Sequence, residues 1–299
     1  MINTKNLLKN YLCLKNKKVN RSKKLSKIIS DELIKEVSDF LTSDEINGYL
    51  TTTFVGKKII HFDSIDSTNS YAKMIGQTCD DGTVVICEHQ TSGRGRFGRQ
   101  WESQYNSMCM SIILKPKISI SHVAKITQVC AAAVALSLEE FRIDAQIKWP
   151  NDLMINNKKI CGILTEMVSE NNKVNYVVVG IGMNVNNSYG DFPDDIKNIA
   201  TSIKIETGNE IKRSIMSAKI INYFELLYNE FVKNNFSKSL DICRNKSNVL
   251  GRNINLIKNN EITIAKAIAL GDDGELIVQY ENGQKDSIIS GEISVRTID

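Results

Sequence analysis

Apolar residues recur at helical spacing over Asn6–Cys13 and again over Lys24–Leu41, with the polar stretch Lys15–Ser22 between them. That pattern predicts two short helices joined by a basic turn. Thr42-Ser43-Asp44-Glu45 then reads as a helix start, with Thr42 as N-cap and Glu45 completing a capping box. Farther on, apolar runs predict strands over Lys57–Phe62, Thr83–His89 and Ser107–Leu114. Between the first two, Asp66-Ser67-Thr68-Asn69 offers several capping side chains before a helix over Ser70–Ile75. Ser119–Phe141 is rich in alanine, and its apolar stripe is too broad for a surface element, so it predicts a buried helix. A strand begun at Gln146 ends in Lys148-Trp149-Pro150-Asn151-Asp152. Leu153–Ile155 and Lys158–Met167 then form a hairpin about Asn156-Asn157. Tyr176–Val185 is an apolar strand broken by Gly180 and Gly182, where something approaches the backbone closely. Ile211–Asn235 carries the stripes of a last long helix.

The pattern changes near Ser247. Gly251–Lys258, Glu261–Leu270, Glu275–Tyr280 and Gln284–Arg296 are short strands, punctuated by Asn259-Asn260, Gly271–Gly274 and Glu281–Gly283. Turn signals at such regular spacing predict a small all-β barrel. The chain thus divides into a basic helical segment (1–41), a main domain (42–246) and a C-terminal β domain (247–299).

Composition narrows the class. A chain of 299 residues with 42% hydrophobic content can bury one large core plus a small accessory unit. Its net charge of +4 is too weak for a dedicated nucleic-acid coat. That charge is uneven, since residues 1–30 hold nine Lys or Arg and no acid. The seven cysteines stand singly, without C-x-x-C spacing, which predicts reduced thiols and neither a disulfide framework nor a zinc site. His61, His89 and His122 accompany no nucleophile motif and read as structural. No apolar run reaches the roughly 18 residues of a membrane span. The basic N-terminus lacks the apolar stretch of a secretory signal and favours lysine over the arginine of transit peptides. Cytoplasm, with no membrane partner, is the expectation.

Chemistry concentrates in Gly93-Arg94-Gly95-Arg96-Phe97-Gly98-Arg99. Glycines let the backbone approach an anion closely, and guanidinium forks clamp phosphate or carboxylate oxygens while staying charged. The run reads as a loop closing over a phosphorylated or adenylated group, or else as a solvated or nucleic-acid-binding basic loop. It also satisfies G-x-G-x-x-G, but its context is wrong for a dinucleotide fold. Glu88–Ser92 separate it from the strand, no amphipathic helix follows, and Lys115-Pro116-Lys117 stands where a ribose-binding acid belongs. No Gly-Lys-Ser/Thr closes it as a Walker A loop.

Other short motifs each admit two readings. Ser67-Thr68-Asn69 can hydrogen-bond a small polar head group or simply cap a helix. Lys148–Asp152 joins a cation, an indole, a rigid Pro and a carboxamide–carboxylate pair, which suits a phosphate with Mg²⁺, or a strand-ending turn. Lys159 is a candidate cation or an exposed lysine beside Lys158, and Gly291-Glu292-Ile293-Ser294 closes the barrel or makes a hairpin turn.

In this order, from about Thr42 to the C-terminus, these motifs resemble those of the biotin protein ligases. Asp66–Asn69, Gly93–Arg99 with Trp101, Lys148–Asp152, Lys159 with Gly162-Ile163-Leu164, Gly180–Asn184 and Gly291–Ser294 carry the resemblance. It implies an α+β fold, with a mixed sheet and flanking helices in the catalytic domain joined to an SH3-like barrel. It also implies the reaction: biotin and ATP give biotinyl-5′-AMP, and biotin then passes to a lysine on the biotin carboxyl carrier protein of acetyl-CoA carboxylase.

Residue by residue, the resemblance puts Ser67, Thr68, Asn69 and Gln90 on the biotin ureido head. Arg94, Gly95 and Arg96 would pack on biotin and neutralise phosphate, and Lys159 would bridge the biotin carboxylate and α-phosphate. Catalysis would fall to Arg94, Arg96, Lys159 and Asp152, the last supporting Mg²⁺ or accepting a proton. ATP contacts would come from Arg94, Arg96, Arg99, Trp101, Lys148, Asn151 and Asn184, with Trp101 covering the adenine. Phe97 replaces an arginine common at its loop position. Members that also repress biotin genes carry a winged helix of about 60 residues, whereas 41 residues precede Thr42 here. Residues 1–41 thus read as a remnant, and sequence-specific DNA binding is not expected. A bifunctional ligase and repressor is the runner-up function, and homodimer formation is left open.

Overall fold

Residues 39–258, 261–289 and 294–297 are described by a computed structural model. Of the helices expected within residues 1–41 only positions 39–41 are described, and these are turn and irregular backbone; the rest lies outside the described residues, as do Gly291, Glu292 and Ile293. Thr42 caps α1 (Ser43–Asn47), its hydroxyl accepting from Glu45 N at 3.3 Å. The Glu45 carboxylate pairs with Lys212 at 2.9 Å rather than completing a capping box.

β1 (Ile59–Ile65) and β2 (Val84–Gln90) are parallel and connected through α2 (Thr68–Ile75). β1 runs beyond the expected Phe62 because Ser64 and Ile65 still pair with His89 and Gln90. β3 (Ser107–Leu114), β4 (Gln146–Lys148), β5 (Asp152–Ile155), β6 (Lys158–Glu170) and β7 (Lys173–Asn184) complete a mixed sheet in the order β1-β2-β3-β7-β6-β5-β4. Every residue of β3 is buried, as expected for a strand covered on both faces. One face carries the main core under α3 (Val123–Glu140) and α5 (Arg213–Phe231). On the other, α2 packs Ala72 against Val85, Ile113, Tyr176 and Val178. The expected Ser119–Phe141 helix begins as one 3₁₀ turn, Ile120–His122, before α3. Ile120–Glu140 is long and apolar enough to cross a membrane by length and composition, yet most of it is buried inside the fold as a core helix.

Two tight turns set the hairpins. Asn156 and Asn157 have φ of 49° and 62°, and Asn171 and Asn172 have 50° and 59°. Two successive positive φ values are the mark of a type I′ turn, which asparagine tolerates. Only the first turn was expected. β6 continues past Met167 as a largely exposed ribbon, which leaves no hydrophobic alternation to read. Two helices were also not expected, α4 (Ile203–Thr207) and α6 (Ser237–Asn245); both are short, and α6 buries only Ser239, Leu240 and Cys243.

β8 (Asn253–Lys258), β9 (Glu261–Leu270), β10 (Leu276–Gln279), β11 (Lys285–Ile288) and β12 (Ser294–Thr297) form an antiparallel SH3-like unit in the order β11-β10-β9-β8-β12. The single strand expected over Gln284–Arg296 is therefore two strands, at opposite edges of the sheet. The β9–β10 turn reaches the main sheet. Gly274 O accepts from the Trp149 indole at 2.9 Å and from Gln128 Nε2 at 2.6 Å. The indole beside Asn151 and Asp152 is thereby anchored from the C-terminal unit.

Glu225 on α5 accepts from Thr53 N and Oγ1, Phe54 N and Val55 N at 2.5–2.9 Å, which folds the 52–55 segment onto the helix. Burial pushes its carboxyl up, but the backbone bonds from Thr53, Phe54 and Val55 outweigh that and hold it below the usual value. Such a group stabilises fully above its unfolded pKa, about 4.3, and loses this as pH falls through the lower folded value. Glu225→Gln is expected to cost about 2 kcal/mol at neutral pH. Urea titrations of both proteins at falling pH should show the gap closing in the acid range; a constant gap contradicts the assignment.

Candidate active site

The carboxyl ends of parallel strands and the start of the helix between them form a natural ligand crevice. Ser67 is the N-cap of α2, with φ −158° and ψ 132°, its hydroxyl accepting from Ser70 N at 3.4 Å. This turn delivers Thr68 and Asn69 to the sheet. Thr68 donates to Gln90 Oε1 from N at 2.8 Å and from Oγ1 at 3.1 Å, which pins the side chain ending β2. From β3, the buried Ser111 Oγ lies 2.7 Å from Thr68 Oγ1 and 2.6 Å from Asn69 Oδ1. A hydroxyl carries one proton. With Thr68 donating to Gln90, Ser111 donates to one of these two oxygens.

The Gly/Arg loop is a small hairpin. Gly95 N donates to Arg99 O at 2.8 Å and Trp101 N to Gly93 O at 2.9 Å, about a 3₁₀ turn at Arg96–Gly98. Phe97, at φ 57°, is exposed and lies under the Arg96 guanidinium at 4.9 Å. Trp101 folds back onto the sheet, where a Cβ on Gly182 would come 2.5 Å from its ring. A Cβ on Gly180 would collide with Asn69. The two glycines expected to admit a close neighbour thus admit Trp101 and Asn69.

A polar chain connects three further side chains of the site through Asp152. Arg96 Nη1 donates to Asn151 Oδ1 at 2.6 Å, Asn151 Nδ2 donates to Asp152 Oδ1 at 2.9 Å, and Asp152 Oδ1 pairs with Lys159 Nζ at 2.7 Å. Lys159 Nζ also stands 5.6 Å over the Trp101 ring. Burial lowers the affinity of Arg96 for its proton, and Asp152 opposes that. Its second amino group, Nη2, is buried without a hydrogen-bond partner. Such a donor calls for an anion.

One cavity is lined by Ser67, Thr68, Asn69 and Gln90 together with Arg94, Gly95, Arg96, Trp101, Asn151 and Lys159. Asp152 enters through Lys159. Arg99 and Lys148 stand outside this lining, and Asn184 is buried with its amide donating to Thr201 O at 3.0 Å. Ser111 and Glu166 were missed in the sequence. Neither belongs to a recognisable motif, and only the strand alternation that puts Ser111 opposite Gly180 points to this face.

Residues 61–184 match the Biotin/lipoate A/B protein ligase family, and residues 249–296 match the Biotin protein ligase C terminal domain. The bifunctional ligase/repressor BirA of Bacillus subtilis (strain 168) is 36% identical over 258 residues, 85% of this chain and 79% of that one. A biotin–[acetyl-CoA-carboxylase] ligase of Paracoccus denitrificans is 34% identical over 125 residues, 40% of this chain and 51% of that one. The biotin protein ligase from Aquifex aeolicus in complex with biotin and ATP matches with a TM-score of 0.71 at 29% identity, covering 81% of this chain and all of that one. The fold, the two matched segments and the extent of the Bacillus match agree: this chain belongs to the biotin protein ligases.

Proposed function

We propose that this ligase forms biotinyl-5′-AMP from biotin and ATP, then transfers biotin to a lysine of the biotin carboxyl carrier protein of acetyl-CoA carboxylase. The observation that carries this reading is the buried, unpartnered Arg96 Nη2 in a cavity that Lys159, Thr68, Asn69 and Gln90 also line. The names of the Aquifex complex and the Paracoccus relative support the ligands and the acceptor respectively.

In the first step a biotin carboxylate oxygen attacks the α-phosphorus, the carboxyl–phosphorus bond forms, and pyrophosphate leaves. Little covalent chemistry falls to the protein, so positioning and charge neutralisation dominate. Ser67, Thr68, Asn69 and Gln90 fix the ring end, while Arg94, Arg96 and Lys159 meet the developing charge. Asp152 aims Lys159 through their ion pair. In the second step the acceptor amine attacks the biotin carbonyl and AMP leaves. Among the described residues no cluster of three or more metal-ligating side chains occurs. Asp152 is the carboxylate that would hold Mg²⁺, which takes one or two carboxylates plus substrate phosphates. Mg²⁺ would supply further neutralisation of phosphate charge.

Incubation with ATP, Mg²⁺, biotin and a carrier domain, followed by weighing the carrier, is expected to show one added biotinyl group, with AMP and pyrophosphate released. Modification by lipoate in place of biotin overturns the reading.

A further inference from the structure

Glu166 belongs to none of the motifs above, yet two groups of the site, Asn69 and Arg94, converge on it together with Lys73. It lies on β6 with its side chain 19% exposed. Its Oε1 accepts from Lys73 Nζ on α2 at 2.8 Å and pairs with Arg94 Nη2 of the Gly/Arg loop at 3.4 Å. Its Oε2 accepts from Asn69 Nδ2 at 3.0 Å, a group that also reaches Leu164 O at 3.3 Å. With its amide nitrogen directed at β6, Asn69 turns its Oδ1 to Ser111 and Gly180. The orientation of the cavity-lining amide is therefore set by the carboxylate behind it. Two cations pressed against a half-buried acid also hold its proton off: burial pushes the Glu166 carboxyl up, but the bonds from Lys73 and Asn69 and the Lys73 and Arg94 charges bring it below its usual value.

The contact with Arg94 has a second consequence. Arg96, two residues along the loop, is tied to Asn151, so the hairpin is held at two points on the sheet side. Between them it has few apolar anchors, Phe97 being exposed. The Arg96–Asn151 bond is charge-assisted and so stronger than a neutral one, and the Arg94–Glu166 ion pair adds a second, weaker tether.

We propose that Glu166 is a positioning residue for ligand binding, acting through its charge on Arg94 to seat the Gly/Arg loop over the cavity. This rests on the reading that the cavity takes biotin. Glu166→Gln keeps the size and an oxygen for Lys73 or Asn69 but removes the charge that Arg94 sees. Its KM for biotin is expected to rise about threefold to fivefold, as a part-exposed ion pair is worth up to about 1 kcal/mol, while kcat at saturating biotin and ATP stays within about twofold. A variant that loses kcat at unchanged KM overturns the proposal.

The partner is tested by a double-mutant cycle with Arg94→Met, read as the biotin dissociation constant. If Glu166 acts through Arg94, the double variant loses clearly less than the product of the two single losses, the remainder being the share carried by Asn69; losses that multiply in full overturn the proposal. Hydrogen exchange over residues 93–101, measured without ligand, reads the tether directly. Faster exchange in Glu166→Gln than in the parent protein is expected, and identical exchange refutes the tether whatever the cavity binds. Failure of the parent protein to bind biotin, with the exchange difference intact, instead sinks the biotin reading alone.

Discussion

Lys159→Ala is expected to slow adenylate formation by roughly 10²–10³-fold, about 3–4 kcal/mol, as loss of one preorganised donor to developing charge does. The structure adds a second component to that loss. Lys159 neutralises Asp152 at 2.7 Å, so alanine leaves a bare carboxylate where the phosphates must approach. Adding Asp152→Asn to Lys159→Ala should therefore restore part of the rate, although Asp152→Asn alone removes a useful group. Pyrophosphate release measures the first half-reaction. Transfer from purified biotinyl-AMP measures the second, which needs less of Lys159 because the α-phosphate bond is already made. Equal losses in both halves would show that Lys159 serves another role.

Much of this cavity could be read in the chain, because its residues sit where local chemistry is distinctive. Ser67 caps a helix, glycines interleave with arginines, and Gly180 and Gly182 interrupt an apolar strand for a reason that the structure supplies in Asn69 and Trp101. The sheet was legible for a related reason: strands such as β3 are buried throughout and carry continuous apolar runs. What escaped has no local signature. Ser111 and Glu166 matter only through partners 42 to 97 positions away in sequence. The ends of β6 and β7 escaped because an exposed ribbon leaves no hydrophobic alternation, although Asn171-Asn172 repeats the turn chemistry of Asn156-Asn157. The placement of Arg99, Lys148 and Asn184 outside the cavity lining shows the converse limit. A motif identifies a neighbourhood, and only the fold decides which of its side chains turn inward.

Arg213→Met is expected to produce the largest loss of stability without a matching loss of chemistry. Arg213 and Glu88 are each 4% exposed and pair at 2.8 Å, with Arg213 also donating to Ser107 O at 2.9 Å and Leu41 N to Glu88 at 2.6 Å. The pair ties the start of α5 to the strands on either side of the Gly/Arg loop, since β2 ends at Gln90 and β3 begins at Ser107. Methionine fills much of the volume but leaves Glu88 buried without its cation, which typically costs about 3–5 kcal/mol. For a chain of this size each kcal/mol lowers the melting midpoint by roughly 2–4 °C, so a fall of about 10 °C is expected. Adding Glu88→Leu should recover a large part, because an absent charge needs no partner. Recovery will be incomplete, as Leu41 N then loses its acceptor. Neither Glu88 nor Arg213 lines the cavity itself. Adenylation by the folded variant at 25 °C should therefore stay within a few-fold of the parent. A midpoint unchanged within about 2 °C would show that solvent or a neighbouring group compensates Glu88, and a collapse of activity in the folded protein would place this pair within the catalytic machinery.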